Sequence, residues 1–191
     1  MWGSIHFYSY ILNMCAAIFI YALAYIMINM QGFTANTKRG YYFMNIWHDI
    51  KKDRIFPTDF ISVIEISKGS NKKYELDKET GMLMLDRILF TATHYPMNYG
   101  FIPRTYGDDK DPLDVLVLCS EAIEPMTLVR SYPIGVIKML DSGMGDEKII
   151  AIPYGDPTYR DYTDISELPE HIFEEVRHFF LYIKAWNIKT L

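Results

Sequence analysis

The sequence predicts an α+β fold, a small closed β-barrel with helical structure packed outside it. Three observations carry that expectation: short β-branched or alternating segments recur along the chain, clusters of Gly, Pro, Asp and Asn separate them, and the one convincing helical pattern stands at the end. Residues 60–66 (FISVIEI) are β-branched and partly alternating. Residues 72–77 (KKYELD) alternate charge with aromatic or aliphatic side chains, as half-buried strands do. Between them Lys68-Gly69-Ser70-Asn71 reads as a turn. Segments 82–90, 114–118, 129–140 and 148–152 supply further strand candidates, with no long helix between them to build a parallel sheet. In the final helix Ser166 is the candidate N-cap and Pro169 suits an early turn, while Ile172, Val176, Phe179, Phe180 and Ile183 paint one face for packing.

Composition bounds what the fold can do. The chain has 191 residues, 50% hydrophobic and 23% charged, which suits one compact domain. A net charge of -5 provides no basic stripe to neutralise a nucleic-acid backbone, and nucleic acid is excluded as a partner. The two cysteines, Cys15 and Cys119, build neither a disulfide framework nor a zinc site. Residues 7–30 carry no charge and are long enough to cross a bilayer as a helix. Lys38, Arg39, Lys51, Lys52 and Arg54 follow, so an anchored domain would face the cytoplasm. Two readings of residues 1–43 stay open: a hydrophobic membrane anchor, or an extension upstream of a true translation start at Met44. Either places residues 44–191 in the cytoplasm as the catalytic domain.

Asp109-Lys110-Asp111-Pro112-Leu113-Asp114 gathers carboxylates so closely that cations or solvent must neutralise them, and hard oxygen donors suit magnesium. An EF-hand loop starting at Asp109 would need Gly where Asp114 stands and Glu where Ser120 stands. Val115-Leu116-Val117-Leu118 reads as a strand buried on both faces, a rigid mount for such a site. Asp141 and Asp146, beside Gly143 and Gly145, form a second acidic turn, with Lys148 after it as a phosphate partner. Upstream, Lys73 and Glu75 project to one face of a strand; Lys73, Arg87 and the hydroxyls of Tyr95 and Tyr99 can donate to phosphate oxygens, and Glu65 lies nearby in sequence pattern.

The runs DRILFTATHYPMNYGFIP, DDKDPLDVLVL and YPIGVIKMLDSGMGDEKIIAIP resemble, in order and spacing, the family I soluble inorganic pyrophosphatases of bacterial type, over about residues 60–184. The resemblance implies an OB-like barrel with helices outside, several magnesium ions per site, hydrolysis of pyrophosphate to two orthophosphates, and a homo-oligomer. It implies that Asp109, Asp114 and Asp146 bind activating magnesium, that Asp141 helps to bind an ion arriving with substrate, and that Asp111 is the general base. Tyr99 and Glu75 join the catalytic group; Lys73, Arg87, Tyr99, Lys148 and Lys184 contact phosphate; Glu65 and Tyr95 support the pocket.

The sequence departs from the family pattern in places. Lys110 stands where a small or acidic residue is usual, and Ile183 stands where a tyrosine should precede Lys184, with Tyr182 about 100° away around the helix. The C-terminus is expected to be truncated. These departures keep two alternatives open, a homologue that binds magnesium and phosphate without turnover and a membrane-anchored binding protein. Hydrolysis of nucleotides has no support, since no Gly-rich phosphate loop is present.

Overall fold

The computed structural model describes residues 45–107, 111–141 and 144–187, with residues 140, 141, 144, 145 and 184–187 described by backbone alone. The chain divides into Met1–Phe43 and Met44–Leu191, and every described residue belongs to the second unit. The expectations for residues 1–43 and for Asp109 and Lys110 therefore lie outside the described residues. Among the described residues no helix is long and apolar enough to cross a membrane.

Among the described residues, eight strands and one long helix follow in chain order: β1 (Ile55–Phe56), β2 (Asp59–Ile66), β3 (Lys72–Leu76), β4 (Leu83–Ile88), β5 (Asn98–Phe101), β6 (Asp114–Val117), β7 (Leu128–Asp141), β8 (Met144–Pro153) and α1 (Glu170–Asn187). One mixed sheet runs β1-β2-β5-β6-β8-β7, and a further antiparallel pairing of β2 with β7 closes it into a ring. Its β6–β8 pair is parallel, with Asp114 opposite Lys148. Strands β3 and β4 form a separate two-stranded hairpin. The expected helical exterior reduces, among the described residues, to α1 and the 3₁₀ turns Lys52–Arg54 and Ile165–Glu167.

Apolar side chains explain the ring. On β6, Val115 and Val117 join Phe60, Ile64, Ile102 and Ala151 in one buried cluster, while Leu116 packs with Ile66, Ile150 and Ile152 in another. Successive residues of a strand face opposite ways, so β6 is buried on both faces as its apolar run predicts. Helix α1 covers the second cluster with Val176, Phe179 and Phe180, spaced to share one helix face. Full burial of each such side chain is worth about 1.5–3 kcal/mol.

Three sequence expectations need correction. Ser166 is no helix N-cap: it lies within the 3₁₀ turn Ile165–Glu167, where Asp164 Oδ1 accepts from Ser166 N at 2.9 Å and Glu167 Oε2 accepts from Thr163 N at 2.7 Å. Asp164 and Glu167 thus cap this short turn, and α1 starts only after Pro169. Asp146 lies on β8 opposite Met139 rather than in a turn, because the β7–β8 hairpin pairs as far as Asp141 with Met144. Strand β5 lies outside every strand segment that the sequence predicts. Asn98, fully buried, accepts from Lys68 N (2.9 Å) and Ile123 N (2.8 Å) and donates to Glu121 O (3.0 Å), which pins β5 between two loops.

Candidate active site

The β3–β4 hairpin and the adjoining strands of the ring enclose a cavity of about 340 Å³. Glu65, Lys73, Glu75, Arg87, Tyr95, Tyr99, Asp111, Asp114, Asp146 and Lys148 all line it. Asp141 ends β7 and Lys184 lies in the last turns of α1, each placed by backbone alone; Asp109 lies outside the described residues.

The parallel register that sets Asp114 beside Lys148, together with the two-residue step from Asp146 to Lys148, brings these three side chains to one face. Lys148 Nζ lies 2.5 Å from Asp114 Oδ2 and 2.9 Å from Asp146 Oδ1, with only 6% of its side chain exposed. Burial works against the charge on Lys148, but Asp114 and Asp146 outweigh it and hold the pKa above the usual lysine value. Tyr99 donates to Asp114 Oδ2 at 2.5 Å, and burial, then the Asp114 charge, push its phenol well above the ordinary range. It therefore remains a proton donor. Tyr95 packs against Phe179 at 4.6 Å and Tyr99 at 5.5 Å between ring centroids.

The hairpin brings Lys73, Glu75 and Arg87 to the same cavity. Lys73 faces Arg87 across the hairpin, and a register shift next to Lys73 leaves Asp86 as an extra residue. Asp86 Oδ2 accepts from Lys73 Nζ at 2.8 Å and from Arg87 Nη1 at 2.6 Å, and Lys73 also pairs with Glu75. Although burial opposes it, Lys73 is held above its usual pKa by Asp86 and Glu75. Glu65, beneath the hairpin, accepts from Leu76 N at 2.8 Å. Burial pushes its carboxyl up to about 8.

The donor set facing the cavity fits a hard cation. Asp114 and Asp146 place carboxylate oxygens within reach of one point, now held by the Lys148 ammonium, and no Cys or His lines the cavity. Among the described residues no three acidic, His or Cys side chains gather closely enough to hold a metal by themselves.

The inorganic pyrophosphatase family model matches residues 62–190. The chain belongs to that family. It is 53% identical over 134 residues to a soluble inorganic pyrophosphatase of Solanum tuberosum, covering 70% of this chain and 64% of that relative. Soluble inorganic pyrophosphatase 2 of Chlamydomonas reinhardtii is 51% identical, covering 70% of each chain. Among solved structures, the inorganic pyrophosphatase from Thermus thermophilus superposes with a TM-score of 0.72 at 38% identity, covering 76% of this chain and 83% of that one.

This pyrophosphatase-family chain also shows site residues that sequence reasoning passed over. Trp47, Lys78 and Phe180 line the cavity, and Asp86 ties Lys73 to Arg87. Asp86 lies in the predicted strand segment 82–90, but the register shift beside which it reaches both Lys73 and Arg87 has no sequence signature. Ile183 lines the cavity at the position where the family pattern has a tyrosine, whereas Tyr182 is exposed and packs on His178 at 4.3 Å.

Proposed function

We propose that the protein hydrolyses inorganic pyrophosphate to two orthophosphates, with its ring adopting the OB-like barrel architecture and magnesium bound at the acidic wall. The observation that carries this reading is that Lys73 and Arg87 line one cavity together with Asp111, Asp114 and Asp146. A multiply charged anion fits among these side chains only when cations bridge it to the carboxylates. Asp114 and Asp146, with Asp109 and Asp141, would hold magnesium, and the soluble relatives support a water-facing catalytic portion.

Bound there, magnesium would offset the substrate's charge and acidify a bound water. Asp111 accepts that water's proton on its carboxylate as the water oxygen attacks phosphorus in line. Lys73, Arg87 and Tyr99 donate to phosphate oxygens, and Lys148 and Lys184 add positive charge near the leaving group. Glu75 orients Lys73, while Tyr95 and Glu65 keep the pocket's base in place. One P–O bond of the anhydride breaks, and both products leave as orthophosphate.

The test is phosphate release by the purified 191-residue protein with and without magnesium, beside Asp111→Asn. Magnesium-dependent release is expected to fall by about 10²-fold or more in the variant, the usual effect of losing a positioned base. A folded protein that binds magnesium but releases no phosphate would overturn the reading.

A further inference from the structure

Lys78 stands at the tip of the β3–β4 hairpin, and the mechanism above gives it no role. Its turn is fixed from within. Asp77 Oδ2 accepts from Thr80 Oγ1 at 2.5 Å, Gly81 N donates to Asp77 O at 2.8 Å, and Gly81 takes a φ of 71°, the left-handed region that suits glycine. From there the Lys78 ammonium forms an ion pair with Asp111 and lies 5.2 Å from the centroid of the Trp47 ring.

The other side of this contact is equally fixed. Trp47 Nε1 donates to Thr105 O at 3.1 Å, Trp47 O accepts from Arg104 N at 2.9 Å, and the indole stacks on Tyr106 with 6.4 Å between centroids. Thr105 Oγ1 accepts in turn from Leu113 N at 2.8 Å, and Gly107 N donates to Asp111 O at 2.7 Å. The indole and the loop that bears Asp111 are thus fastened to each other without Lys78. Three stretches far apart in sequence meet at the Lys78 ammonium.

Stability does not account for the arrangement. The Lys78 and Asp111 side chains are 49% and 54% exposed, and a pair so wet is worth about 0–1 kcal/mol. Its placement is more informative, because Lys73 and Arg87 stand on the hairpin whereas Asp111 precedes β6 of the ring. Lys78 links the two across the mouth of the cavity. A base acts only within hydrogen-bond reach of the proton it removes, so the separation of hairpin and ring governs turnover.

We propose that Lys78, seated on the Trp47 indole, is a positioning residue that aims Asp111 and sets the phosphate-binding hairpin in register with the acidic strands. The proposal rests on the pyrophosphate-hydrolysing reading. The experiment compares kcat, KM for magnesium pyrophosphate at saturating magnesium, and thermal unfolding for the 191-residue protein, Lys78→Ala, Lys78→Arg and Trp47→Leu. In Lys78→Ala, kcat is expected to fall about tenfold, as for a group acting through another, with KM within about twofold and the melting temperature unchanged. Lys78→Arg, which restores charge and reach, returns kcat to within about threefold of the parent, and Trp47→Leu lowers kcat in the same direction. An unchanged kcat in Lys78→Ala, or a rise in KM alone, overturns the positioning role; the latter makes Lys78 a phosphate ligand. An inactive parent protein removes the hydrolytic reading and this proposal with it, whereas an active parent with an indifferent Lys78→Ala removes only the proposal.

Discussion

Glu65 is the side chain whose environment departs most from what its position in a strand would suggest. Burial raises its pKa from 4.5 to about 8; the hydrogen bond from Leu76 N pulls the other way, and Asp114 and Glu75 add to the rise. Between those two pH values the folded chain keeps a proton that the unfolded chain has released, so the folded state binds more protons and its stability falls as pH rises across that window. Carboxyls with lowered pKa values, such as Asp86 and Asp156, act below the window and leave its slope alone. Melting curves in chelator are therefore expected to drop from pH 4.5 toward 8, and Glu65→Gln, which keeps an acceptor for Leu76 N, should flatten them. A slope identical in both proteins would mean that another group titrates there. The residue pattern identified Glu65 only as an acidic residue in a strand, and the family resemblance added a role in supporting the pocket. Its burial follows from β2 pairing with β5 on one side and β7 on the other, which no local window contains. For the same reason Trp47 and Lys78 escaped notice: Asp-Lys-Glu-Thr looks like a solvated turn, and nothing in the spacing of residues 47, 78 and 111 reveals that they meet.

Strand β5 shows what element-level reading can and cannot reach. Helix α1 and strand β6 were legible because their apolar patterns record burial directly. β5 was not, because Asn98-Tyr99-Gly100-Phe101 has weak strand character and forms only when β2 and β6 supply both edges. Gly100 is what lets β2 come close. A Cβ there would lie 1.8 Å from the backbone oxygen of Val63, a contact that no side-chain rotation can relieve. Gly100→Ala must therefore push β5 away from β2, and a loss of about 3 kcal/mol is expected, at the upper end for overpacking. Urea unfolding reads that loss directly, and a midpoint equal to the parent's would show that the strands tolerate a wider spacing. Because Tyr99 neighbours Gly100, phosphate release should fall as well. The acidic residues were legible at this level as a motif, but the placement of Asp146 on a strand beside Lys148 required the hairpin's register.

Across the molecule the functional charges come from two sheets, Lys73, Glu75, Asp86 and Arg87 from the hairpin and Asp114, Asp146 and Lys148 from the ring, and this convergence is the feature least visible in sequence. In the protein alone, Lys148 pairs with both Asp114 and Asp146 and Lys78 pairs with Asp111, which offsets part of the acidic charge without metal. Magnesium would add to this only in the folded state, since Asp111, Asp114 and Asp146 converge on the cavity through tertiary pairing. A ligand of the folded state alone stabilises by about 2.7 kcal/mol at a hundred times its Kd. For a domain of this size that corresponds to a rise of roughly 5–10 °C in Tm. The rise should vanish on chelation and shrink in Asp146→Asn, which removes one hard donor while retaining an acceptor for Lys148. Sodium chloride at matched ionic strength is the control, because screening of a net charge of -5 also favours the compact state. Equal shifts with magnesium and with sodium chloride would reduce the acidic wall to a screened patch. A shift specific to magnesium but undiminished in Asp146→Asn would move the ion away from the strand that carries Lys148.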